Sequence, residues 1–395
     1  MAKALAHPEL VSLAAGFVDH ETLPVEAADQ AWRELFSRPA ESRAALQYGT
    51  TIGYPPLREE IVRRMRAADG EPAGPVHLDA SQVVITAGSN QLLFLVADVL
   101  LDPGDIVLCG APSYYVFLGT LANVGAQAVG VQVDQDGLVP EAIEAELLRR
   151  RAAGQSQRVK AIYVTTYYDN PTGCSLSLAR RAALVDIARR WSLYIIEDAA
   201  YRELRYYGPD QPSLRAFDLD GETVIHAGTF SKSFSPGIRV GWAVLPKALL
   251  GPVLAEKGNI DFGSPNFNQL LMAKVLHGGQ FDAHVARLRE SYRRKLDAVL
   301  QAADELLAPL GRIHWVRPSG GLYLWLRLPD GVDTSVAGPL FARAVDEGVL
   351  YVPGDPCYGQ GAPRNMLRLS FGSPTTDDLR RGIAALARAL RQVMP

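Results

Sequence analysis

The stretch Ala227-Gly-Thr-Phe-Ser-Lys-Ser-Phe-Ser-Pro-Gly-Ile-Arg-Val-Gly241 decides the reading of this chain. It follows Val224–Ala227, a short apolar run of the kind that forms a buried strand. Loops at the C-terminal ends of strands in open α/β sheets are where ligands bind. This loop carries Lys232, with the hydroxyls of Thr229 and Ser231 and the guanidinium of Arg239 around it, groups that hold a phosphate. A partly desolvated lysine there can form a Schiff base with a carbonyl. A surface loop with an ordinary lysine has the same local sequence, so the rest of the chain must decide.

Outward from that loop, short apolar runs alternate with segments of helical period, which predicts α/β architecture. Strands are expected at Val83–Thr86, Ile106–Cys109, Ala128–Val133, Ala161–Thr165, Leu193–Glu197, Val224–Ala227 and Val240–Leu245. Helices are expected at Asn90–Leu101, Tyr114–Val124, Pro140–Arg151 and Leu178–Trp191. Tyr194-Ile195-Ile196 is apolar or aromatic throughout, as a strand covered on both faces would be. After about residue 280 the pattern changes to a long helix (Phe281 to about Leu307), strands at Ile313–Val316 and Gly321–Leu328, and a helix at Ser335–Glu347. A strand at Met366–Ser370 and a helix at Thr376–Met394 end the chain. Three parts follow: 1–44, an arm with part of a smaller domain; 45–280, a large domain; and 281–395, a small α+β domain.

Length and charge narrow the class. The 395 residues suit about two domains, and 40 basic against 43 acidic residues leave no footprint for nucleic acid. No apolar stretch approaches the roughly 20 residues needed to cross a bilayer. Met1–Leu10, with Lys3, His7, Pro8 and Glu9, has no signal-peptide core, so the cytoplasm is the expected compartment. Cys109, Cys174 and Cys357 are too few and too widely spaced for a disulfide framework or metal site. Only 7 of the 40 basic residues are lysines, so each can be considered singly. Lys232 alone sits where a Schiff base makes chemical sense.

Four further constellations sit at strand ends or in strands. In Thr86-Ala-Gly-Ser-Asn-Gln, Gly88 permits a tight turn and Ser89 is expected as N-cap, with backbone N–H groups of Ser89 and Asn90 facing any anion. In Ile196-Glu-Asp-Ala-Ala-Tyr201, Asp198 follows an apolar run where an unpaired carboxylate is costly. A protonated heterocycle, a salt bridge or a cap would each satisfy it, with Glu197 competing for the role. Tyr168-Asp-Asn-Pro-Thr-Gly173 is turn chemistry that aims Asn170 at a ligand or only at the turn. Arg368, in Met366-Leu-Arg-Leu-Ser, needs a carboxylate from substrate or from the protein itself.

In order and spacing, these elements resemble the fold-type I pyridoxal-phosphate aminotransferases over nearly the whole chain, from about Leu13 to Leu390. The resemblance is nearest to the class I/II branch that includes 2-aminoadipate and kynurenine aminotransferases and the effector domain of MocR-type regulators. It implies a large domain with a seven-stranded, mostly parallel sheet sandwiched by helices, plus a smaller α+β domain. It implies pyridoxal 5'-phosphate as cofactor and an amino acid and a 2-oxo acid as substrates, in a ping-pong transfer without metal. By the same resemblance Lys232 is the Schiff-base lysine and proton shuttle, Asp198 holds the pyridine nitrogen protonated, and Asn170 and Tyr201 contact the ring oxygen. Tyr114 stacks on the ring, and Gly88, Ser89, Asn90, Thr229, Ser231 and Arg239 form the phosphate cradle. Arg368 clamps the substrate α-carboxylate, with Asn170 and Gly16 on the substrate side. Tyr48, in Gln-Tyr-Gly-Thr-Thr-Ile-Gly-Tyr, reaches the neighbouring subunit's phosphate, which implies a homodimer with shared active sites.

Three features depart from the pattern. Thr166-Tyr-Tyr-Asp precedes Asn-Pro-Thr-Gly and puts the charge of Asp169 near the site. The arm before Leu13 is short, and Cys357 stands where an aromatic is usual. Tyr114, Tyr115, Tyr167 and Tyr168 suggest an aromatic or large donor side chain. A C–S lyase, decarboxylase or β/γ-replacement enzyme would carry the same cofactor residues. A MocR-like sensor would need a DNA-binding module of roughly a hundred residues ahead of a start this close to the aminotransferase portion.

Overall fold

The computed structural model describes residues 10–71 and 74–394. Met1–Glu9, the greater part of the segment expected to lack a signal-peptide core, lie outside the described residues.

The main sheet is built from β1 (Val83–Thr86), β2 (Ile106–Ala111), β3 (Gln127–Asp134), β4 (Gly137–Leu138), β5 (Val159–Thr165), β6 (Tyr194–Asp198), β7 (Val224–Thr229) and β8 (Gly241–Val244). Their spatial order is β1-β8-β7-β6-β5-β2-β3-β4. Seven are the expected strands; the eighth, β4, is a two-residue strand that folds back on β3 beyond the Asp136-Gly turn. β8 runs antiparallel to both neighbours. The connection from β7 to β8 contains only a 3-10 turn (Pro236–Ile238) and no crossover helix, so the chain returns beside the strand it left. That return forces the Lys232 loop to the sheet edge where the parallel strands end.

Both faces of the sheet are covered. Ile195 and Ile196 are fully buried in different core clusters, one on each side. Each contributes about 1.5–3 kcal/mol relative to exposure. The short apolar strands therefore hold the ends of β1, β5, β6 and β7 in a fixed row, and each end leads into one of the constellations above.

The smaller sheet consists of β9 (His314–Trp315), β10 (Tyr323–Arg327), β11 (Val352–Pro353) and β12 (Met366–Ser370), in the antiparallel order β9-β10-β12-β11. The helices Gln280–Leu306 and Thr376–Val393 pack on it through one core that includes Leu296, Leu300, Leu324, Leu367, Leu379, Ile383 and Leu386. Thr375 caps the terminal helix by accepting from the Asp378 N–H. Val11–Ser12 pairs in parallel with Val349–Leu350, which brings the N-terminal segment into this body. The helices Val25–Phe36 and Pro39–Leu46 lie against Asn266–His277 instead, with Trp32 edge-on to Phe267.

Two local expectations change. The helix expected at Ser335–Glu347 runs Pro339–Asp346, because proline lacks an N–H and fits the first turn. The helices Lys247–Asp261 and Asn266–His277 went unread: the first contains Gly251 and Pro252, and the second is buried over most of its circumference, which blurs its period.

Candidate active site

The ends of β1, β5, β6 and β7 surround a cavity of about 150 Å³. Ser89, Asn90, Tyr114, Asn170, Asp198, Tyr201, Thr229, Ser231, Lys232 and Arg239 line it, joined by Thr165, Ala200 and Pro236, which the sequence reading did not single out. Gly88, Gly16 and Arg368 adjoin it through contacts described below. Tyr48 does not: it is 81% exposed, edge-on to Phe262.

Lys232 directs its amine to the main-chain oxygen of Gly16 at 2.9 Å. Asp198 is buried at the end of β6 and accepts from the Tyr163 hydroxyl (3.0 Å) and the Ala200 N–H (3.1 Å). Among the described residues no Lys, Arg or His forms an ion pair with Asp198, and burial pushes its carboxyl above the usual range. Glu197 does not compete, because successive strand residues face opposite ways. It accepts from Thr166 Oγ1 (3.0 Å) and the Leu214 N–H (2.9 Å) and lies 2.8 Å from His226 Nδ1. Burial pushes Glu197 up, but His226 and these donors outweigh it and hold the carboxyl at about 2.

The phosphate-type groups cluster opposite. The helix Ser89–Leu100 begins at Ser89, and its N-cap is Gly88 at φ 85°, not Ser89 as expected. A side chain at Gly88 would collide with the Arg239 guanidinium. Arg239 itself is left-handed (φ 50°), a conformation that costs a non-glycine residue about 1 kcal/mol or more. It donates to Ala87 O (2.9 Å) and Ser231 Oγ (3.3 Å), and Thr229 Oγ1 lies 3.0 Å from Ser231 Oγ. Backbone N–H groups at a helix start, two hydroxyls and a guanidinium thus meet in one place.

The loop after β5 is fixed from behind. Arg181, fully buried, donates to the carbonyls of Leu176, Pro212 and Thr166 and lies over the Tyr167 ring at 4.4 Å. Asp169 turns away from the cavity and accepts from Thr172 Oγ1 at 2.7 Å, so its charge serves the turn. Its burial raises its pKa to about 6. Tyr167 and Tyr168 are buried in packing: the first donates to Gln211 O, and the second fills the space beside Gly320 and Gly321. Of Tyr114, Tyr115, Tyr167 and Tyr168, only Tyr114 lines the cavity, so the suggestion of an aromatic donor rests on that one ring. Cys357, like Cys109 and Cys174, is a buried free thiol.

Arg368 is 3% exposed, yet among the described residues no carboxylate pairs with it. It donates to Asn170 Oδ1 (2.7 Å) and Ala14 O (2.9 Å), and its Nε is buried without a partner. The alternative of an internal acid is therefore not realised. Two further side chains went unread, Tyr163 and Tyr323. No local pattern marks either one; only the pairing of distant strands brings them here.

Pyridoxal phosphate has an aldehyde, a protonatable ring nitrogen, a phenolic oxygen and a phosphate. The site offers an amine, a buried carboxylate lacking a cation, amide and phenol donors, and an anion cradle, so the residues present fit the group. The orphaned Arg368 Nε is a remaining donor for a carboxylate.

The architecture is that of a fold-type I transferase. The chain belongs to the family described as Aminotransferase class I and II, whose sequence profile matches residues 8–386. It is 33% identical to aromatic-amino-acid aminotransferase 1 of Thermococcus litoralis, over 99% of this chain and 90% of that protein. It is 35% identical to 2-aminoadipate transaminase of Thermus thermophilus, over 99% of this chain and 93% of that protein. The crystal structure of Pyrococcus horikoshii kynurenine aminotransferase in complex with PMP superposes with a TM-score of 0.92, at 32% identity over 100% of this chain and 94% of that one. The chain is a pyridoxal-phosphate-dependent transaminase.

Proposed function

We propose that this transaminase works through Lys232, Asp198 and Arg368, and that its amino donors are α-amino acids with uncharged side chains, aromatic ones among them. The observation that carries the reading is the convergence on one cavity of an amine, a buried carboxylate without a cation and, at its edge, an arginine without an acid. Bound pyridoxal phosphate supplies the electron sink that draws charge from the substrate α-carbon and carries the amino group between half-reactions.

The chain's own residues do the rest. Arg368 takes the α-carboxylate on its fork, which fixes the Cα–H direction relative to Lys232. Lys232 would take the proton from the substrate Cα and hold it for return. Asp198, buried and accepting from Tyr163 and the Ala200 N–H, would face the ring nitrogen and favour its protonated form by opposite charge. Asn170 and Tyr201 would donate to the ring oxygen, Tyr114 would cover the ring face, and Gly88, Ser89, Asn90, Thr229, Ser231 and Arg239 would hold the phosphate. Gly16 lies on the substrate side, with its carbonyl on Lys232. Two of the relatives are named for aromatic amino acids and for 2-aminoadipate. The uncharged class is favoured because the lining cations, Lys232 and Arg239, both have duties already.

The division at 44/45 and 280/281 is part of the same reading, as is a cytoplasmic homodimer in which Tyr48 reaches the other subunit's phosphate. Tyr48 is exposed beside Leu46 and Phe262, both large, apolar and exposed, as residues of a contact surface would be. No described helix is long and apolar enough to cross a membrane. A screen of amino donors against 2-oxoglutarate and pyruvate, with Lys232→Ala as blank, tests the assignment. Aromatic donors should turn over, and preference for acidic donors would refute the uncharged class.

A further inference from the structure

Tyr323 belongs to β10, in the smaller sheet, yet it touches residues from three other parts of the chain. The Arg368 guanidinium, on the adjacent β12, lies over the Tyr323 ring with Cζ 4.2 Å from the centroid. At the other end, the Tyr323 hydroxyl is 3.2 Å from that of Tyr201, which lines the cavity. The N-terminal segment makes room for it: a Cβ at residue 16 would lie 2.6 Å from the Tyr323 oxygen. Glycine at 16 therefore answers a need for space, not for backbone freedom.

The geometry points to Tyr323 as a positioning residue that couples the two halves of the site, its ring face holding the Arg368 carboxylate clamp and its hydroxyl setting the hydrogen-bonding state of Tyr201. A cation held over an aromatic face has a fixed plane, so the fork is aimed before substrate arrives. The two hydroxyls share one hydrogen bond, so whichever donates has one fewer proton to offer elsewhere. The charged and titratable groups acting on Tyr323 are Arg368 from β12, Lys232 from the loop after β7, Tyr201 from the turn after β6, and the phenols of Tyr114 and Tyr292. Burial alone would push the Tyr323 phenol up, but the two cations and the Tyr201 hydrogen bond outweigh it and bring it below its ordinary value. Tyr201, by contrast, is pushed up by burial and by its phenolic neighbours. Of the two, the more acidic Tyr323 phenol is the better donor, which leaves the Tyr201 proton for the ring oxygen, and a carboxylate that neutralises Arg368 weakens that donation.

This inference rests on the assignment of Arg368 to the substrate carboxylate and of Tyr201 to the cofactor's ring oxygen. Two variants separate the ring from its hydroxyl. In the holoenzyme, Tyr323→Phe keeps the face and loses the hydroxyl, whereas Tyr323→Leu loses both. The probe is 3-phenylpropionate, a carboxylate without an amino group, followed by calorimetry and by the pH titration of the bound cofactor's absorbance. Tyr323→Phe should bind the probe within about twofold of wild type but shift the titration midpoint by about half a pH unit or more. Tyr323→Leu should weaken probe binding by roughly 3- to 30-fold. An unshifted midpoint in Tyr323→Phe, or undiminished probe binding in a folded, cofactor-loaded Tyr323→Leu, overturns the coupling. Arg368→Lys is the control for the underlying reading. If it too binds the probe normally, the clamp assignment has failed; if only the Tyr323 variants behave as wild type, the clamp stands and Tyr323 has no part in it.

Discussion

The amine of Lys232 donates to the main-chain oxygen of Gly16 at 2.9 Å, across 216 residues of sequence. Two residues earlier, the carbonyl of Ala14 accepts from Arg368. One short segment thus puts an oxygen on each of the two basic side chains to which the proposed transfer assigns the chemistry and the carboxylate. These neutral acceptors keep both side chains hydrogen-bonded without pairing either with a carboxylate.

The arginine of that pair gives the first prediction. Arg368→Lys keeps the charge but cannot bond Asn170, Ala14 and a carboxylate in one plane. KM for the amino donor should rise roughly 10- to 100-fold, with a much smaller change in kcat, in steady-state assays. A fall confined to kcat would mean that Arg368 acts on the chemistry and not on binding.

Asp169 predicts a pH effect on stability. Burial raises its folded value from the ordinary 3.8 to about 6, so the folded protein holds this proton more tightly than the unfolded chain does. Stability therefore falls as pH rises between those values, and the penalty, of the order of 3 kcal/mol, is complete above them. Asp169→Asn keeps an acceptor for Thr172 and removes the titration. Its melting temperature should exceed that of wild type at pH 8, and the gap should narrow toward pH 4. A constant gap between the two proteins across that range would contradict the assignment.

Gly241 predicts a steric one. A Cβ there would lie 2.6 Å from Gly88 C and 2.7 Å from Ser89 N, both backbone atoms that cannot swing aside. Gly241→Ala should displace the start of the Ser89–Leu100 helix and weaken pyridoxal phosphate binding by about tenfold or more, as read by absorbance titration of the apoenzyme. Unchanged cofactor affinity would mean that this helix start does not form the cradle.

Much of this was legible in the sequence because it is local. Strand ends, turn residues and the Lys232 loop sit within a few residues of one another, and the parallel sheet then aligns them at one edge. What was not legible depends on packing between distant segments. Ser89 looks like a cap until β8 brings Gly241 against Gly88 and the chain turns one residue earlier. Asp169 carries a charge toward the site in sequence, but Thr172 draws it back into the turn. Tyr167 and Tyr168 resemble substrate-facing aromatics, and only the tertiary structure shows Arg181 and the Gly320–Gly321 bend occupying them. Tyr163 and Tyr323 gave no signal, since neither has a neighbour in sequence that shares its role.

The central claim is amino-group transfer through Lys232, and a single-turnover measurement tests it most directly. Holoenzyme mixed with an aromatic amino acid, with no 2-oxo acid present, should release about one equivalent of 2-oxo acid per subunit as the cofactor's carbonyl absorbance disappears. Lys232→Ala should release none. Release of ammonia or carbon dioxide in place of the 2-oxo acid, or full turnover by Lys232→Ala, would contradict the account.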